Sequence, residues 1–431
     1  MPAIISFAQS YRNSQAKKLI STAILSIILC LIYNCFHLRP SAAEIVYSEL
    51  SGRYGIEGRL FQKSPLLIGQ QSNNISMFLE PEFYLESSSG NSFIISPFFR
   101  YDASDVRRTH WDFREAYALL FGEIGDKEWE LRIGFDKVFW GVSESFHLVN
   151  IINQIDAIED PNLESHLGQP MIHTTWVTNM GNLETYILPY FRERTFSGRT
   201  SRLRNAFIVD SDQTKYESAA GRRHLDTAVR YSNTLDIFDF GIAIFDGTNR
   251  APSLSPGLDA NGSVVLIPTY EQIRQYSLDA QVTSGPYLIK IEGYWRDGEK
   301  NSELIEDDYA AFIGGFEYSI YNLWNTDAEV TLLSELLFDE RGSRSLTPFE
   351  NDIFTAIRIA LNDSNSTEFS FGIMQDLNQS SRSFSMDVAR RIDNYWSIDF
   401  STQVFLDIDN QDLQFPLRRD NYIELVINYS F

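Results

Sequence analysis

A two-residue alternation runs through this chain, and its polar half is charged. In "NISMFLEPEFYLES", Ile75, Met77, Leu79, Phe83 and Leu85 share one face, and Ser76, Glu80, Glu82 and Glu86 the other. "WELRIGFDKVFW" sets Leu131, Ile133 and Phe135 against Glu130, Arg132 and Asp136. "PYLIKIEGYWRDG" sets Ile289, Ile291 and Trp295 against Lys290, Glu292 and Arg296. "YWSIDFSTQVFLD" sets Ile398, Phe400, Val404 and Leu406 against Asp399, Ser401, Gln403 and Asp407. Successive side chains of a strand point to opposite faces, so each segment is a strand with one apolar and one strongly polar side.

The connections alternate in length. Short ones fall at 87–91, 124–128, 180–182, 284–286, 362–366 and 393–394; longer polar ones fall at 103–112, 142–170, 197–223, 247–268, 297–307, 340–350 and 408–420. Segment 378–382 breaks the rhythm and is expected as a tight turn on the long-loop side. A soluble sandwich has no reason to alternate short and long connections, whereas a membrane barrel does so as a rule. The expected fold is therefore all-β: a transmembrane antiparallel β-barrel of about 16–18 strands, with its apolar face on lipid and its polar face on water. The first strand is expected near Gly52, and aromatic residues near strand ends (Trp129, Trp140, Tyr287, Trp295, Tyr395, Trp396, Tyr422 and Tyr429) are expected at the membrane interfaces.

Residues 1–43 carry Arg12, Lys17, Lys18 and Arg39, no acid, and the apolar run "LISTAILSIILCLIYNCF" ahead of small residues Ser41 and Ala43. This is the pattern of a signal peptide cleaved after Ala43, leaving 44–431 as the barrel; a retained anchor is the alternative, because the run is long enough to span a bilayer. Cleavage removes both cysteines, so the mature chain has neither disulfides nor thiolate metal sites. It also takes the 36 Lys and Arg to 32 against 58 Asp and Glu, and the net charge from −22 to −26. So acidic a chain is not a nucleic-acid binder.

The chain ends on "YIELVINYSF", with Ile423, Leu425, Ile427, Tyr429 and Phe431 on one face. This ending resembles the C-terminal signature of Gram-negative outer-membrane barrels. The resemblance implies an outer-membrane location, contact with lipid and lipopolysaccharide, recognition of Phe431 by the barrel-assembly machinery, and a possible homo-oligomer. "KVFWGVSESFHLVNIINQIDAIEDP" (137–161) resembles a strand-end segment of porin-like proteins, with a Trp-Gly at the rim and the pair Asn153 and Asp156 in a polar loop. In general plan the chain is similar to porins, whose third long loop folds into the lumen.

Residues 142–170, the third long loop here, hold Glu144, Asp156, Glu159, Asp160 and Glu164 and no Lys or Arg, with the apolar pieces "FHLV" and "NIINQI". Two readings stand side by side: a lumen constriction, or a solvated outer loop whose acids hold divalent cations among lipopolysaccharide headgroups. Inward-facing Arg100, Arg132, Arg192, Arg194, Arg230, Lys290 and Arg358 either set ion preference or form ion pairs with wall neighbours such as Glu130, Asp136 and Asp226. Loop 197–223 is locally basic and suits phosphates or an anionic solute, or is simply an outer loop.

Enzyme motifs are weak. "GVSES" lacks the closing glycine of a nucleophile elbow, and His110, His147, His166, His173 and His224 form no H-E-x-x-H or ligand pair. No cofactor, metal or catalytic residue is expected. The leading function is a porin-like channel for passive diffusion of small hydrophilic solutes. A non-transporting surface barrel is the alternative, and a hydrolase using Ser145 and His147 comes a distant third.

Overall fold

In the computed structural model, which describes residues 44–125 and 127–431, eighteen of the alternating segments join edge to edge into one closed sheet. The expected signal peptide lies outside the described residues. The wall opens with β1 (Ile45–Phe61), β2 (Asn73–Ser87), β3 (Ser92–Asp102), β4 (His110–Ile124), β5 (Lys127–Asp136), β6 (Gln169–Thr178) and β7 (Gly181–Leu188). After β8 (Lys215–Tyr216), a short strand within a loop, it continues with β9 (Asp226–Leu235) and β10 (Phe238–Thr248). The next loop carries a hairpin of β11 (Ser253–Leu258) and β12 (Val264–Tyr270), which pairs with β8. The wall resumes with β13 (Gln272–Ser284), β14 (Tyr287–Lys300), β15 (Glu306–Ile320), β16 (Glu329–Asp339) and β17 (Asn351–Ala360). It ends with β18 (Glu368–Asp376), β19 (Arg382–Arg391), β20 (Trp396–Leu406) and β21 (Tyr422–Ser430).

Consecutive wall strands pair antiparallel, and β1 pairs with β21 to close the ring, in register from Arg53↔Ser430 to Phe61↔Tyr422. Closure removes the sheet edges that lipid could not satisfy. The Phe431 N–H donates to the Gly52 carbonyl (3.0 Å), the Gly52 N–H donates to the Phe431 carbonyl (3.1 Å), and Arg59 pairs with Glu424 across the seam. The first strand begins at Ile45, earlier than expected, and its leading residues pair with β2 alone. A register shift at Ser96/Pro97 between β3 and β4 marks a bulge, where proline's missing N–H costs no ladder bond.

The side chains run opposite to those of a soluble protein. Ile242, Ile244, Ile289, Ile291, Ile423, Leu425 and Ile427 are exposed, while Asp279, Glu292, Glu335 and Asp352 are buried. At the end holding the start of β1 and Phe431, Tyr54, Tyr395, Trp396 and Tyr429 pack together, and Tyr287 stacks on Phe316 and Tyr318. Towards the other end Trp111 packs on Phe113 and Tyr276 on Trp295. These are the aromatic belts of a membrane barrel. Two expected members are absent from them. Trp140 is 2% exposed inside the lumen, in a loop rather than on the wall. Tyr422 sits one residue off the outward register of Ile423 and turns inward beneath the Arg59 guanidinium.

The short turns gather at the end with Phe431, and the long loops at the other, where residues 377–381 form the expected tight turn. Near the middle of the lipid face, Leu425→Lys should destabilise the folded barrel by about 2–4 kcal/mol. Lumen-facing Val426→Lys should cost far less. Denaturant titration followed by heat-modified gel mobility compares the two.

Candidate functional site

The connection between β5 and β6, residues 137–168, lies inside the barrel. Its Trp140, Val149, Ile151 and Ile152 pack on Met171, Tyr186, Leu188, Ala228, Phe245 and Ile273 of the facing wall. Phe146 and Leu148 reach the far side, against Ile313, Leu337, Phe354 and Met374. The loop therefore crosses the lumen, with apolar side chains anchoring it at both ends.

A backbone crossing the interior needs acceptors for its N–H groups. Two buried wall carboxylates supply them. Glu292 Oε1 accepts from the N–H groups of Val142 (2.6 Å) and Ser143 (2.8 Å) and from the Ser143 hydroxyl (2.6 Å), and Oε2 accepts from the Val149 N–H (3.3 Å). Glu335 accepts from the N–H groups of Glu144 (2.9 Å) and Ser145 (2.8 Å) and from the Ser145 hydroxyl (2.5 Å). Gly141 makes this approach possible: its φ is +130°, and an added Cβ would stand 2.5 Å from Glu292 Oε1.

The five acids singled out in the loop separate into two groups. Glu144 bridges Lys290 (2.8 Å) and Arg358 (2.8 Å). Burial pushes its carboxyl up, but these two cations outweigh that and hold it below the usual range. Asp156 is fully buried, with Arg114 Nη1 at 2.7 Å, and Glu159 takes the Arg100 Nε at 2.8 Å. Asp160 and Glu164 have no ion-pair partner among the described residues, and neither do the wall acids Asp387 and Asp399. Burial first, then the charges of Asp160, Asp387 and Glu144, pushes the Glu164 carboxyl up to about 7.

Most of the inward cations are held in pairs. Arg100 also binds Glu57, Arg132 binds Asp136 (3.4 Å), Arg230 grips Asp279 (2.6 Å) and Lys290 also meets Glu317. Arg192 pairs with Asp112 (2.7 Å) but lies beyond β7, not on a wall strand. Arg194 is also in that loop, where its backbone N–H donates to the Tyr270 hydroxyl (2.9 Å). Asp226 serves Arg250 (2.9 Å) rather than these cations. The basic loop is tied down as well. Arg202 is buried against Asp420 (2.7 Å) and Arg222 against Glu193, while Arg107 reaches back to the Val209 carbonyl (2.9 Å). These bonds draw segment 189–210 over the mouth towards β1 and β21.

What remains open is a cavity of about 480 Å³ between the loop and the wall. Its lining includes Arg53, Glu57, Glu80, Arg100, Arg114, Asp399 and Asn428 from the wall and Lys137, Asn150, Glu159, Glu164 and His166 from the loop. Ser145 and His147 form no catalytic pair: the hydroxyl is committed to Glu335, and His147 packs edge-on against Phe139.

No family model matches the chain, and no curated protein does. OccD3 (OpdP) of Pseudomonas aeruginosa shares the fold at a TM-score of 0.52 and 11% identity, over 90% of this chain and 93% of that one. A mutant of Rh. blastica porin aligns over 89% of this chain and 100% of its own at TM-score 0.42 and 9% identity. OmpT of Vibrio cholerae, in trimer form, aligns over 89% and 99% at TM-score 0.44 and 7% identity. The latter two superpose loosely, and the likeness to OccD3 is one of fold. The fold is that of the outer-membrane, porin-like β-barrels.

Hydrogen bonds to a charged acceptor are worth about 1.5–3 kcal/mol each. Glu292→Ala should therefore free the amides of Val142, Ser143 and Val149 to exchange about ten- to a hundredfold faster. Hydrogen exchange of the folded barrel measures this, with the Phe369–Ile373 amides of β18 as an unaffected reference.

Proposed function

We propose that the protein is a porin-like channel of the bacterial outer membrane, passing small hydrophilic solutes by diffusion. One observation carries the reading: a loop anchored across the lumen leaves a cavity of about 480 Å³ lined by charged groups. A barrel of this strand number is too wide to be filled by its own wall side chains, so a loop has to set the aperture. The apolar outer face between aromatic belts suits lipid, and exposed Phe431 suits capture by the barrel-assembly machinery. We assign Ser145 and His147 no joint catalytic role, because the Ser145 hydroxyl donates to Glu335 and the His147 ring packs on Phe139.

The unpaired acids give the passage its sign. Asp160, Glu164, Asp387 and Asp399 form no ion pair among the described residues, while Arg100, Arg132, Arg192, Arg230, Lys290 and Arg358 are spent on pairs and, of the inward and cavity-lining cations, only Lys137 and Arg194 are left without one. The channel therefore prefers cations. In a planar bilayer under a salt gradient, stable conductance steps with a cation-selective reversal potential are expected. A folded barrel that conducts nothing would leave a closed surface barrel, the alternative reading.

Glu164 makes the preference depend on pH. With its carboxyl titrating at about 7, it is neutral below that value and negative above it. Cation selectivity should rise from about pH 6 to about pH 8. Glu164→Gln should flatten this rise and leave the conductance steps in place.

A further inference from the structure

Where Glu159 borders the cavity, the fold gathers three metal-ligating side chains that the sequence keeps apart. His110 opens β4, and Asp156 and Glu159 come from the lumen loop. His110 Nε2 stands 3.8 Å from Asp156 Oδ2 and 3.5 Å from Glu159 Oε1, and all three ligand atoms lie within 4.8 Å of one another. A tetrahedral ion with bonds of about 2.1 Å holds its ligand atoms about 3.4 Å apart, close to this spacing.

Two atoms at this point are otherwise unexplained. His110 Nε2 and Glu159 Oε1 are buried and have no hydrogen-bond partner, and the Glu159 side chain is 7% exposed. The His110 Nδ1–H donates to the Arg108 carbonyl (2.9 Å), so the neutral ring turns its Nε2 lone pair towards two carboxylates. That arrangement repels itself unless a positive charge sits between the groups. The outer partners fix His110 and Glu159 from behind, as in a metal site, while the Asp156 oxygen that faces His110 also takes the Arg114 guanidinium. Asp156 Oδ1 accepts from the Thr195 hydroxyl (2.8 Å), its Oδ2 from Arg114, and Glu159 Oε2 from Arg100. Around them Arg59, Arg100, Arg108, Arg114 and Arg192 face Glu57, Asp102, Asp112, Asp156, Glu159 and Glu424, which leaves the neighbourhood one negative charge in excess.

We propose that His110, Asp156 and Glu159 bind a divalent cation of the zinc class, which staples the lumen loop to β4. An imidazole with two carboxylates favours zinc-like ions over calcium or magnesium, which take oxygen ligands. The site does not depend on solute passage, so its test needs no transport.

The test is titration of the chelator-treated, purified barrel with Co2+ in detergent, followed by visible absorption, with Zn2+ and Ca2+ as competitors. The expected result is one equivalent bound, displaced by Zn2+ and not by Ca2+. His110→Gln and Glu159→Gln should each weaken binding at least about tenfold, with heat-modified mobility confirming that the variants fold. A wild-type barrel that binds no equivalent of Co2+ or Zn2+ at about pH 8 would overturn the proposal and leave a proton on His110 as the bridging charge. Binding that is unchanged in the folded His110→Gln variant would overturn it equally.

Discussion

A polypeptide that crosses the inside of a barrel gives up water on most sides, and the rest of this architecture depends on how its amides are answered. Glu292 and Glu335 are negative groups buried at a cost in hydration, and each recovers that cost from several donors at once. Backbone N–H groups and serine hydroxyls converge on four carboxylate oxygens. The loop has a conformation because β14 and β16 carry these acids, and the acids are tolerated because the loop is there. The aperture is therefore set jointly by the loop and the wall.

The wall was readable from the chain, because lipid outside and water inside impose a period of two that no other environment imposes so regularly. The terminal strand was readable for the same reason. The path of the loop was not. Glu292 and Glu335 occupy ordinary polar-face positions, and nothing in their neighbours distinguishes an acid facing water from one capping a crossing backbone. Trp140 looked like a belt residue because "KVFW" continues the alternation beyond β5. Arg192 looked like a wall residue because "YILPYFRER" continues it beyond β7. There the chain stops laddering at Leu188, since Pro189 has no N–H to give. His110 was silent because its partners come from a distant segment, and ligand spacing is legible only within one element.

Charge in the lumen is sorted rather than mixed. Arginines and lysines on the wall mostly meet carboxylates in close pairs, often two to one cation, so their field is short-ranged. Asp160, Glu164, Asp387 and Asp399 project without such partners, and their field extends into the passage. Part of the acidic surplus of the sequence is therefore expressed at the loop and the wall it faces. A residue count could give the size of that surplus but not its address.

The closed ring also sets an order of events in time. Every ladder but one joins strands that follow one another along the wall, so most of the sheet can zip as successive hairpins with little loop-closure entropy. The exception is the β1–β21 seam, which brings Arg53 beside Ser430 from opposite ends of the barrel sequence. Until it forms, both flanking strands carry open edges and the sheet can still flex around its contents. Its closure is the commitment step, after which the lumen loop is enclosed and the wall has lost its last free border.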